Sequence, residues 1–368
     1  MGRINTPAER RDTLDWARKY RSSTRPVGKP LTPAKVVAAY RADLKRYFAL
    51  GALSRNTTVP DEMRNAALRL VFRVRVLMEN AIRQSIAAGV AEGAGDFRTL
   101  LSQGSFFGSS KKQGTSLRMP LSSCVPTRLC GAGCYAHDGR DAVAASVVRG
   151  VVNGFVAESF ESGSGPLRHH ILQLLEPHTR CAIDRARAEL ARLPPGYARR
   201  AHVRFSHVGE IVAFPEFANT LAAQVTALSN GEVDCVVYTR HPGAKRLDTG
   251  RMVVNFTLDQ SSQARREWAP PGARIVSSAF DGQLDPNAEV NFLEHHANRH
   301  LHPIGIGKVC PATAPETRVR TCDAMRCALC FKPPRADSDQ VGSPQVIPSR
   351  ESALKTTPRA VLREWKTL

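Results

Sequence analysis

Seven of the nine cysteines in this 368-residue chain fall in two short stretches about 180 residues apart. Cys124, Cys130 and Cys134 lie in SSCVPTRLCGAGCYAH, and Cys310, Cys322, Cys327 and Cys330 lie in KVCPATAPETRVRTCDAMRCALCF. Thiolates are soft ligands, and at short spacing they select iron–sulfur clusters or zinc. Three in one loop predict a centre with an open coordination position; four in another predict a closed one. Each stretch must then fold so that its sulfurs converge, and that demand constrains the chain more than any other feature of it. A disulfide framework belongs to oxidising compartments. The N-terminal sequence MGRINTPAERRD is charged and lacks the apolar core of a secretory signal. The expectation is a cytoplasmic protein with reduced thiols and bound metal.

The first group has the spacing Cys-x5-Cys-x3-Cys. On a four-iron, four-sulfur cluster these three thiolates would leave one iron open. Joined by His137, three residues on, they would instead close a Cys3His zinc site. The second group has the spacing Cys-x11-Cys-x4-Cys-x2-Cys. Its final Cys327-x2-Cys330 pair chelates zinc and iron alike, so spacing alone does not separate the metals. Cys235 lies in a strand candidate and reads as a packed core thiol.

Around these stretches the apolar pattern predicts an α/β fold. Residues 1–105 read as helical. After Pro60, Asp61 and Glu62, the residues Met63, Ala67, Leu70, Val74, Met78, Ile82 and Ile86 recur at three- and four-residue steps, with Arg64, Arg69, Arg73, Arg75 and Arg83 largely off that stripe. A further helix is expected over 32–50, and 106–116 (FFGSSKKQGTS) reads as a linker. From residue 117, strand candidates at 117–121, 203–205, 233–238, 252–258 and 274–279 alternate with helical stretches at 143–155, 167–193 and 217–228, and with a polar one from about 261. Such alternation implies parallel strands with right-handed crossovers. The expected core, residues 117–308, is therefore a full or partial β/α barrel, with function in the loops that follow its strands. Residues 309–331 form the Cys-rich metal segment. Residues 332–368, rich in Pro, Ser and charge, read as disordered.

The net charge of +19 is concentrated early: residues 1–116 hold 21 Lys/Arg against 9 Asp/Glu. A basic region of this kind suits a polyanion, with nucleic acid the partner expected. No apolar run approaches the roughly 18 residues of a membrane span, so no membrane partner is expected. In FSHVGE, Gly209 and Glu210 end a strand candidate, where a flexible residue beside a carboxylate suits an amino group. Arg240 and Lys308 are candidate phosphate or carboxylate contacts. His295, His296, His300 and His302 form a His-dense run whose helical spacing could hold metal. Walker A, GxGxxG, GxSxG and HExxH motifs do not occur in the sequence.

The combination of Cys124, Cys130 and Cys134-Tyr135-Ala136, then Gly209-Glu210, then Cys310-Pro311-Ala312 with Cys322, Cys327 and Cys330 resembles the phage gene-product-88-like family across residues 117–331. That family belongs to phages, plasmids and other mobile elements. The layout is also similar to radical S-adenosylmethionine enzymes. The resemblance implies that Cys124, Cys130 and Cys134 hold a four-iron cluster and that Cys310, Cys322, Cys327 and Cys330 hold a second one. It also implies that S-adenosylmethionine meets the open iron, with Gly209 and Glu210 at its amino group. The radical-enzyme loop is normally Cys-x3-Cys-x2-Cys with an aromatic residue before the last cysteine; here the gaps are longer and Tyr135 follows. Without turnover, the same residues would make a structural zinc protein that binds DNA or RNA.

Overall fold

A computed structural model describes residues 6–21, 32–91, 96–102, 106–110, 114–137, 141–193, 200–280, 282–293 and 308–310. Cys322, Cys327 and Cys330, the histidine run at 295–302, and the tail at 332–368 lie outside the described residues.

The chain opens with helices α1 (Pro7–Lys19), α2 (Pro33–Ala39), α3 (Arg41–Arg55), α4 (Asp61–Ala91) and α5 (Phe97–Ser102). Their starts are written locally. Thr6 and Glu9 form a reciprocal capping box before Pro7, and the Thr32 hydroxyl accepts the Lys35 N–H before Pro33. The single helix expected over 32–50 is interrupted at Tyr40. Its ring is buried, and its hydroxyl donates to the Ala81 carbonyl at 3.0 Å and lies 2.6 Å from Ser85 Oγ, so a contact with α4 outweighs helix continuity. On α4 the expected stripe is inside at Ala67, Val74, Met78, Ile82 and Ile86. Arg75, expected off the stripe, is inside as well.

Strands β1 (Phe107–Ser110), β2 (Gly114–Leu117), β3 (Ala201–Arg204), β4 (Val233–Thr239), β5 (Met252–Leu258), β6 (Arg274–Ala279) and β7 (Val290–Leu293) form a seven-stranded sheet in sequential order. β1 and β2 pair antiparallel, and every later pair is parallel. The stretch read as a linker thus carries β1 and most of β2. Among the described residues the sheet is open. At one margin Asn153 Nδ2 donates to the Phe106 carbonyl and Arg185 Nη1 to the Phe107 carbonyl, at 3.0 and 3.4 Å. At the other, the Asn291 N–H donates to the Lys308 carbonyl and the Cys310 N–H to the Asn291 carbonyl, at 2.7 and 2.8 Å.

Helices α6 (Arg128–Gly133), α7 (Ala144–Ser162) and α8 (Gly165–Ala191) connect β2 to β3, and α9 (Pro215–Ser229) connects β3 to β4. Val203, Phe205, Cys235, Val237, Val254 and Phe256 build the main core, with Ile171, Leu175, Leu221 and Val225 of α8 and α9. Cys235 is a core thiol, 1% exposed. α7 is apolar all round and serves two cores, as such helices do. Val156, Ala157 and Phe160 enter the sheet core; Val147, Val148, Val151 and Val152 join the cluster formed by α1 to α4. The basic N-terminal helices therefore share a core with the α/β region.

Candidate functional site

The parallel strands bring the first cysteine loop, Gly209, Glu210 and Arg240 to one edge of the sheet. β2 ends at Leu117. The Met119 N–H still donates to the Val208 carbonyl at 2.7 Å, but Pro120 has no N–H and the chain leaves the sheet. A 3-10 turn over Leu121–Ser123 leads to Cys124. The Ser123 hydroxyl donates to the Pro120 carbonyl at 2.7 Å and accepts the Glu210 N–H at 2.8 Å, tying the cysteine loop to the β3 exit. Thr127 then caps the short α6, accepting the Cys130 N–H at 3.0 Å.

Further elements on several sides clamp the loop. From the β4 and β5 exits, Arg240 Nη1 pairs with Asp259 Oδ2 at 2.9 Å, and the Thr127 hydroxyl donates to that same oxygen. Arg265 Nη1 donates to the Val125 carbonyl at 2.7 Å. From α3 and α4, Arg55 donates to the Cys134 carbonyl, and the Ser122 N–H donates to Glu79 Oε2 at 2.7 Å. Glu79 Oε1 accepts from Arg75 Nε at 2.5 Å; both side chains are almost completely buried. Tyr47, under the Arg75 guanidinium, meets His137 Nδ1 at 2.9 Å. From α7, Gly150 and Gly154 bring bare backbone against Met119 and Pro120, where a Cβ on either would lie 2.9 Å or less from its nearest neighbour.

Cys124 and Cys134 pack together with Leu121, Ala136, Val208 and Phe72. Burial pushes the Cys124 thiol well above its ordinary value, and the charges of Glu210, Cys134 and Cys130 push the same way. Burial and then Cys130 raise Cys134 to about 12, against the Ala136 N–H, Arg55 and Arg75. The Cys124 and Cys134 thiols are thus protonated at neutral pH, and any metal must displace those protons. His137 is lowered to about 3 by burial and by Arg75 and Arg55. The ring lies between Tyr47 and Phe72, and its Nε2 has no partner among the described residues. Among the described residues no three His, Cys, Asp or Glu side chains stand ready around one metal position. Cys310 is buried at the β7 margin with Val276 and Val290. Five strand spacings of about 4.8 Å separate β2 from β7 along the sheet, so Cys310 lies well apart from the first three cysteines.

Gly209 has φ +72° and presses on the Met119–Pro120 backbone, which turns Glu210 inward. Burial raises the Glu210 carboxyl to about 7, although Thr239, Arg240 and Arg204 oppose the shift. Its Oε2 is buried without a hydrogen-bond partner among the described residues. Folded Glu210 keeps its proton to about pH 7; the unfolded chain releases it near 4.5. Between those values the native state binds more protons, so this group's stabilisation is complete below pH 4.5 and is lost as pH rises to 7, by about 3 kcal/mol. Urea unfolding of the wild type and Glu210→Gln across that window should show the descent in the wild type alone. Parallel profiles would refute it.

The sequence pointed to the cysteines, Gly209 and Glu210, but not to Arg75, Glu79, Asp259 or Arg265. Arg240, expected as an anion contact, is paired with Asp259. Lys308 is exposed beside β7. No described helix is long and apolar enough to cross a membrane. No protein-family model, curated protein or solved structure matches the chain.

Proposed function

We propose that this chain is an iron–sulfur protein of a phage or plasmid and an enzyme of the radical S-adenosylmethionine type. The supporting observation is positional. The three-cysteine loop follows β2, Glu210 follows β3, Arg240 follows β4 and Asp259 follows β5, all at the carboxyl edge of neighbouring parallel strands. That edge is where open and barrel-like parallel sheets hold their ligands. In this proposal the sheet is the wall of a partial β/α barrel.

Cys124, Cys130 and Cys134 would hold a four-iron cluster, and Cys310 would join Cys322, Cys327 and Cys330 in a second. The donor chemistry fits in kind: soft thiols lie near one another, and although burial keeps Cys134 protonated, Arg55 and Arg75 oppose that shift and would favour its thiolate once a metal displaced the proton. When bound, such a cluster supplies one electron for cleavage of the cofactor's sulfonium. Glu210 would accept the cofactor's amino group, the clamped loop would fix the cysteines, and the surrounding apolar residues would limit water. The basic N-terminal region would draw a macromolecular substrate, nucleic acid by its charge.

Anaerobic purification tests the metal. The full-length protein should be brown, with broad visible absorption and bound iron and acid-labile sulfide. Cys124→Ala should remove a large part of both. A colourless protein with stoichiometric zinc would replace this proposal with the structural zinc protein.

A further inference from the structure

At the end of β3 a second set of groups has no role in holding metal. Val203 and Phe205 enter the main core, so Arg204 and Ser206 alternate to the sheet's other face. Arg204 Nε donates to the Ser206 carbonyl at 2.8 Å, and its guanidinium lies 4.4 Å from the centroid of the Tyr238 ring. Tyr238 is held edge-on by Phe292, with centroids 6.3 Å apart. These contacts fix the plane of the guanidinium and use only its Nε. Among the described residues, neither Nη atom of the half-buried Arg204 has an acceptor.

Two neighbouring atoms are equally unused. Among the described residues Ser206, 5% exposed, has a buried hydroxyl without a partner, and Glu210, 8% exposed, has its orphaned Oε2. Leaving a buried polar atom unsatisfied is costly, so two of them in five residues call for a ligand or bound solvent. A stacked guanidinium with two open amino groups matches the two oxygens of a carboxylate or phosphate, and little rotamer freedom remains to be lost on binding.

We propose that Arg204 and Ser206 form an oxyanion subsite for a carboxylate or phosphate group of a ligand seated beside Glu210. Nη1 and Nη2 of Arg204 donate to the anion, and the Ser206 hydroxyl adds a third donor. Glu210, on the same stretch, sets the far limit of the site and excludes a second negative charge next to it. The subsite needs no metal, so its fate is independent of the cluster.

Calorimetric titration of the full-length protein with inorganic phosphate and with acetate, at ionic strength held constant with chloride, tests this. At least one anion should bind saturably. Arg204→Gln should weaken that binding about tenfold or more, the loss of a charged hydrogen bond. Arg204→Lys should retain part of it, and Ser206→Ala should weaken it less than Arg204→Gln. Glu210→Gln should leave it unchanged or tighter, which separates the subsite from the amine-binding role. Absence of saturable binding by either anion overturns the subsite. So does undiminished binding by an Arg204→Gln variant whose near-UV circular dichroism matches wild type. Competition identifies the source of the anion. Displacement of phosphate by S-adenosylmethionine, but not by its decarboxylated form, assigns the cofactor's own carboxylate; phosphate retained in the presence of both assigns a separate anionic substrate.

Discussion

Gly209→Ala should lower folding stability by about 3 kcal/mol or more, while Gly231→Ala should cost about 1–2 kcal/mol. The two glycines share a φ of +72°, so the backbone penalty for a side chain is the same at both. Their surroundings differ. A Cβ on Gly231 meets nothing within 4 Å, whereas one on Gly209 would lie 2.5 Å from the Met119 carbonyl carbon and oxygen. Those atoms cannot swing aside, because the Met119 N–H is bonded to Val208 and Gly150 of α7 packs on the same peptide from behind. The extra loss at Gly209 measures that contact. The shift should also displace Glu210, so the pH-dependent descent of stability should vanish in the Gly209 variant. Thermal or urea unfolding of the two variants side by side decides it, and equal losses would show that the close approach carries no energy.

Glu79→Ala should destabilise the protein by about 3–5 kcal/mol, the range for breaking a buried ion pair from one side. Arg75 is 1% exposed and Glu79 is buried as completely. Burial pulls the Arg75 pKa down, but Glu79 and Tyr47 together, by charge and hydrogen bonding, more than offset it and the guanidinium stays charged. Without Glu79, that charge faces only the Tyr47 ring, and the Ser122 N–H loses its acceptor just before Cys124. An Arg75→Met, Glu79→Leu double variant should recover most of the stability, since apolar replacement of both partners removes the desolvation cost. It should not recover the loop, because the Ser122 N–H remains unpaired, and thiol accessibility at Cys124 should stay raised. Chemical denaturation and the rate of thiol labelling report the two effects separately. A single variant as stable as wild type would show that the pair is dispensable.

The legible parts of the fold were those with long, locally consistent patterns. β4, β5 and β6 were expected at 233–238, 252–258 and 274–279 and occupy Val233–Thr239, Met252–Leu258 and Arg274–Ala279. Such apolar runs mark strands buried on both faces. β1 and β7 were missed because four residues such as FGSS or VNFL carry no readable period; pairing with neighbours makes them strands. Arg75 was missed for a different reason. An Arg and a Glu four residues apart on a helix are most often an exposed pair, and only the packing of α3, α7 and the cysteine loop around α4 puts this one inside. The candidate site divides the same way. Cysteine spacing and the Gly-Glu pair are local signals. The Thr127–Asp259–Arg240 clamp joins residues more than 100 positions apart, and nothing near Asp259 in the sequence marks it.

The two borders of the sheet have a further consequence. One is a four-residue strand at which the Phe106 and Phe107 carbonyls are taken by side chains from α7 and α8; the other is engaged by residues 308–310. A border part-occupied in this way gives an incoming strand less to zip onto. The sheet is therefore partly guarded against growing by strand exchange between copies. Because Cys310 is stitched into one of these borders, its sulfur starts from a fixed backbone anchor.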